Sequence, residues 1–152
     1  MSDKGDKAYG YFTQGYNCSQ AVAMAFSEEL GLDKEKIARI AGGFGGGMGR
    51  MREVCGTFSG IVMVLSQLYG YSDPNDNETK KDLYEKVRAL AERFKQDNGS
   101  IICRELLGLD KAEKSATPEP RTSEYYKKRP CPELCRYAAD ILNEFIIENS
   151  PK

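Results

Sequence analysis

Five cysteines and no histidine frame the chemistry open to this chain. Without histidine there is no ordinary general base, no Ser-His or Cys-His nucleophile pair and no His-containing zinc site. Any reaction must rest on cysteine, carboxylates, lysine, arginine, tyrosine or a bound cofactor. Cys18, Cys55 and Cys131 each fall at or near a predicted helix start, where unpaired N–H groups and positive potential stabilise a thiolate. Arg50 and Arg52 precede Cys55, and Arg129 precedes Cys131, adding influence of the same sign. Cys103 lies between Ile101-Ile102 and Leu106-Leu107 and is expected in a partly apolar setting. The competing reading makes all of these small buried hydrophobes. Placement at helix starts favours function over that alternative.

Spacing excludes several familiar sites. No C-x2-C occurs, so neither a thioredoxin-type motif nor a zinc ribbon is written here. Cys131 and Cys135 are i, i+4, which on a continuous helix separates their Cβ atoms by ~5–6 Å, against about 3.8 Å in a disulfide. They join only if Cys131 lies outside the helical turn, which Pro132 allows; as thiolates they could instead share a metal. An odd number of cysteines argues against a fully paired framework.

The other chemically suggestive stretch is Gly42–Gly60, GGFGGGMGRMREVCGTFSG. A phosphate cradle fails its tests: there is no Gly-Lys-Ser/Thr ending and no G-x-G-x-x-G after a strand. Two readings remain. One threads the backbone tightly between helices, with close approach at Gly56 and Gly60. The other uses the amides of Gly45, Gly46 and Gly47 with Arg50 as an anion or thiolate site.

Helical spacing recurs along the chain and clean alternation does not. Helices are predicted over Lys4–Gln14 and from Cys18 to Leu30, the latter opened by a capping box of Asn17 and Gln20. A short helix capped by Asp33 leads into the glycine stretch. Cys55–Tyr69 is apolar nearly all round and predicts a helix buried in the middle of the bundle. Amphipathic helices follow near Glu78–Gln96, over Ile101–Leu107 with Ser100 as cap, and from Pro132 to about Glu148. Residues 108–129 read as a long loop, a cover or partner surface. The expectation is a single domain over residues 1–152, all-α, a compact bundle of about six or seven helices around a buried central helix.

Composition narrows the partners. With 22 basic and 23 acidic residues, net charge −1, there is no global attraction for nucleic acid. The longest strictly apolar run, Ile61–Leu65, is far short of a membrane span, and the polar start MSDKGDKAYGYF has no signal-like apolar core. A cytoplasmic location is expected, where thiols are kept reduced and serve catalysis, sensing or metal more than permanent cross-links. The long loop and apolar central helix are compatible with a homodimer.

Gly15-Tyr16-Asn17-Cys18-Ser19-Gln20-Ala21, the glycine run leading to Cys55-Gly56-Thr57-Phe58-Ser59-Gly60, Cys103 with Leu106-Leu107-Gly108, and Cys131 ahead of Ala138-Ala139-Asp140-Ile141-Leu142 form one pattern. From Gly15 to about Phe145 it resembles the redox-active proteins named for the cysteine pattern C_GCAxxG_C_C. The resemblance implies a small protein with four characteristic cysteines. Thr57 stands where the motif has alanine, adding a hydroxyl beside the site, and Cys135 is an extra cysteine. No C-x-x-C-H is present, so covalent haem is not written here.

The leading expectation is a thiol redox protein in which Cys18, Cys55, Cys103 and Cys131 converge, with Cys55 or Cys131 the better-activated nucleophile. A protein or small-molecule redox partner would react through a mixed disulfide, with no cofactor required. In a second class the same four cysteines ligate an iron–sulfur cluster or zinc. In a third, a non-catalytic helical module binds a ligand or protein through Gly45–Arg52 and residues 108–130.

Overall fold

A computed structural model describes residues 3–108 and 115–151. Among them the chain forms nine α-helices: α1 (Asp3–Thr13), α2 (Cys18–Met24), α3 (Ser27–Leu30), α4 (Lys34–Ala41), α5 (Gly56–Tyr69), α6 (Asn77–Asn98), α7 (Cys103–Leu106), α8 (Ser123–Lys128) and α9 (Cys131–Glu148). One antiparallel bridge, Val54 with Ile102, is the extended pairing among these residues. The all-α expectation holds. The count exceeds six or seven because short helices appear where longer segments or a loop were predicted.

Local signals explain most boundaries. Asn17 accepts from the Gln20 amide while the Gln20 side chain accepts from the Asn17 amide, 3.0 Å each, closing the predicted capping box. Asp33 caps α4 through the Lys36 amide, and Asp76 caps α6 through Thr79. Gly99, in the left-handed region, ends α6. The predicted Cys18–Leu30 helix instead breaks at Ala25-Phe26, where the Phe26 amide bonds back to Ala23 O, three residues earlier. That tighter turn lets Phe26, fully buried, point into the core while α3 turns away.

Helix α5 packs on α2, α3, α6 and α9. Gly60 permits the approach to α2: a Cβ there would lie 2.9 Å from Val22 Cβ and 3.1 Å from Ser19 O. On the α6 side large rings fill the gap instead, with Phe58 edge-on to Phe94 at 6.0 Å and Phe94 edge-on to Tyr137 at 5.5 Å. The expectation of a helix buried on every side needs correction. Ile61, Val64 and Leu65 are buried, but Val62, Met63, Ser66 and Gln67 line an open apolar groove of about 570 Å³. The groove's other wall comes from Leu30, Ile37 and Ile40. Neighbouring helices cover only part of the apolar circumference.

The predicted loop 108–129 also needs correction, apart from residues 109–114, which lie outside the described residues. It carries α8, capped by Thr122 through the Tyr125 amide at 3.2 Å. Arg121, just before that cap, donates to Phe12 O at 2.8 Å and Tyr16 O at 3.1 Å, fastening the segment across the end of α1.

Candidate functional site

Four helix starts meet at one end of the bundle. Cys18, Cys103 and Cys131 are the first residues of α2, α7 and α9, and Cys55 is the residue just before α5. All four line a single cavity of about 60 Å³, closed by Phe12, Arg121 and Tyr125. Cys103 thus joins the three cysteines that the sequence placed at helix starts. Cys135, whose role the sequence left open, is also at the cluster: it is fully buried and close enough to Cys18 for the two thiols to shift each other's pKa. Cys18 and Cys131 are likewise near enough to shift each other's pKa, and both line the cavity. Because Cys131 lies within α9, Cys131 and Cys135 stand one turn apart on the same helix, with Cys18 near both. All five thiols are free.

The glycine stretch brings Cys55 and Cys103 to this point. From Gly46 to Arg50 every residue has positive φ, between 56° and 71°, a left-handed course that costs non-glycine residues roughly 1–2 kcal/mol each. Met48 and Arg50, and Arg52 just beyond, accept that strain. Long-reach bonds hold it: the Arg52 and Glu53 amides donate to Gly46 O at 3.1 Å and Gly47 O at 2.9 Å. Gly47 has no substitute here. At φ 71° a Cβ would lie 2.7 Å from Arg52 Cα, Glu53 N and Cys103 Cβ alike. Beyond the turn, the Cys103 amide donates to Glu53 O at 2.5 Å and the Cys55 amide to Ile101 O at 2.7 Å, so the Val54–Ile102 bridge sets Cys55 opposite Ile101 and Cys103 opposite Glu53, a diagonal pair whose side chains both reach the cavity.

Of the sequence-derived glycine set, Gly47 serves this turn and also lines the cysteine cavity. Gly45, Gly46 and Arg50 line a neighbouring cleft of about 290 Å³. Tight threading is seen at Gly47 and Gly60, where a Cβ would meet neighbouring atoms at 2.7–3.1 Å. Sequence reasoning missed Arg121 and Tyr125, which close the cavity. The signal was Thr122, a side chain suited to capping a helix through Tyr125.

Burial governs the electrostatics. It pushes the Cys55 thiol up to about 11, against the hydrogen bond shared with Thr57 Oγ1 at 3.1 Å. Burial also raises Cys103, only partly opposed by Arg52, whose Nη1 donates to its Sγ at 3.7 Å. Cys131 is raised by its bond to Cys18 and by burial, with Arg129 and Arg52 pulling the other way. At Cys18 the Cys131 bond works to lower the pKa, but the contact with Cys135 and burial carry it well above the ordinary thiol range. Burial raises Cys135 as well. The expectation of thiolates lowered by helix starts and arginines is thus overturned. Removing a thiolate from water outweighs the favourable neighbours.

The sulfurs also have separate companions: Cys18 sits with Cys131 and Cys135, Cys55 with Thr57, and Cys103 with a guanidinium. Among the described residues no three cysteine, aspartate or glutamate side chains are grouped to hold a metal ion.

Among the described residues no helix is long and apolar enough to cross a membrane. No curated protein and no solved structure matches the chain. The family model described as "Putative redox-active protein (C_GCAxxG_C_C)" matches residues 16–145, a span that takes in all five cysteines and the cavity they surround, and the chain belongs to that family.

Proposed function

We propose that this protein is a cytoplasmic thiol–disulfide exchange protein whose reacting pair is Cys131 and Cys18. Cys131 is half-buried where the other four cysteines are buried, so it meets an incoming disulfide first. Its thiolate attacks one sulfur of the partner, the partner's S–S bond breaks, and the departing thiolate takes up the proton. Cys18, which lines the same cavity as Cys131, then attacks the mixed disulfide and releases the second partner thiol. The protein loses two protons and two electrons, and the partner gains both. Raised thiol pKa values keep the resting protein protonated and slow to react until a partner engages.

The single observation that supports this reading is the convergence of Cys18, Cys55, Cys103 and Cys131 on one small cavity. The test is a count of free thiols before and after a mild disulfide oxidant, and again after reduction. A reversible loss of two thiols is expected, and Cys18→Ala should abolish it while Cys135→Ala retains it. An unchanged thiol count in the wild type overturns the reading.

A second reading, a non-catalytic helical module, draws on the apolar groove beside α5. It gains if replacing Cys18 and Cys131 leaves binding of an apolar fluorescent probe to that groove unaltered and no thiol is ever oxidised.

A further inference from the structure

The cysteine cavity is too small for a substrate. About 60 Å³ is room for a few water molecules, enough for the sulfur end of a substrate and not for its body. A reacting disulfide must keep its body elsewhere. The cleft of about 290 Å³ adjoins the cavity, with Asn17, Gly46, Arg52, Arg121 and Tyr125 in the walls of both. Among the described residues that line it, three are arginines, Arg50, Arg52 and Arg121, against one carboxylate, Glu119.

These arginines are fixed in place. Arg121 is held by the carbonyls of Phe12 and Tyr16 and stacks 4.2 Å over the Phe12 ring. Arg50 reaches Ser115 O at 3.2 Å, bonds Thr117 O, and lies 3.7 Å from Glu119. Arg129 draws Glu119 as well. Arg52 is 7% exposed and already touches Cys103 Sγ. A guanidinium presents a planar fork of donors that suits a carboxylate, and its ordered position lowers the entropy lost on binding.

We propose that the arginine-lined cleft selects small disulfides bearing carboxylates, seating the anionic body against Arg50 and Arg121 while one sulfur enters the cysteine cavity. This rests on the thiol-exchange reading and adds to it a substrate class. The exchange consumes one small disulfide and yields two small thiols as the Cys18–Cys131 bond forms.

The test compares oxidation rates of the whole protein by three disulfides of similar size: dithiodipropionate (anionic), hydroxyethyl disulfide (neutral) and cystamine (cationic). At low ionic strength the anionic reagent should react about tenfold faster than the neutral one and the cationic reagent slowest. High salt should narrow the spread. Arg50→Gln should shrink the ratio of the anionic to the neutral rate several-fold, and Arg121→Lys should reduce it less. If any one substitution unfolds the chain, the charge series and its salt dependence on the wild type still decide. Equal rates for the three reagents overturn the anion cleft while leaving thiol exchange standing. No oxidation by any reagent overturns thiol exchange itself.

Discussion

The two halves of α5 and α9 are buried by different means. On the side facing α2, Cys55 and the first halves, with Gly56, Thr57, Gly60, Cys131 and Cys135, lie beside Ser19 of α2, while Phe58 turns to the α6 side. Here close approach and hydrogen bonds do the stabilising: Ser19 Oγ donates to Ala41 O at 2.5 Å, and Thr57 is fully buried against Cys55. Their second halves carry Val64, Leu65, Ile141 and Leu142, buried by bulk alone. The lesson is that the thiol end is built for proximity and the far end for volume, so the two ends should respond oppositely to changes in side-chain size.

That contrast can be broken with substitutions read by urea denaturation. Leu142→Ala should have the largest effect, a loss of about 2–5 kcal/mol from a site with no exposure. Gly60→Ala should destabilise by about 1–2 kcal/mol despite gaining helix propensity, because the new methyl meets backbone and the stiff Val22. Gly10→Ala, where a Cβ meets nothing within 4 Å, should instead stabilise by about 0.5–1 kcal/mol. If Gly60→Ala stabilises as Gly10→Ala does, the proximity argument for the thiol end fails.

The contrast also predicts a pH dependence. Folding raises the thiol pKa values, so the stability they contribute is intact below the ordinary thiol range of about 8.5. It is lost as pH rises toward about 11, where Cys55 ionises in the folded state. The urea midpoint should therefore fall over that interval, and less so in Cys55→Ala. A midpoint that falls equally in both would remove Cys55 from the explanation.

The sequence showed the caps, the helical periodicity and the cysteines at helix starts, because each is a local signal. Asn17 with Gln20, Asp33 and Gly99 could be read within a few residues. What it could not show arises from distant contacts. The break at Ala25-Phe26 follows from where Phe26 must be buried, and the groove beside α5 from how far its neighbours reach. The thiol pKa values were misjudged because helix starts and nearby arginines are visible in sequence, whereas the burial that outweighs them is not. Arg121 was missed because its partners, Phe12 and Tyr16, lie more than a hundred residues away.

The most direct test of the account is the disulfide map of the oxidised protein. After equilibration with a disulfide buffer and quenching in acid, peptide mass analysis should find Cys18 bonded to Cys131 within one chain. Full oxidation in which Cys18 remains a free thiol would contradict it.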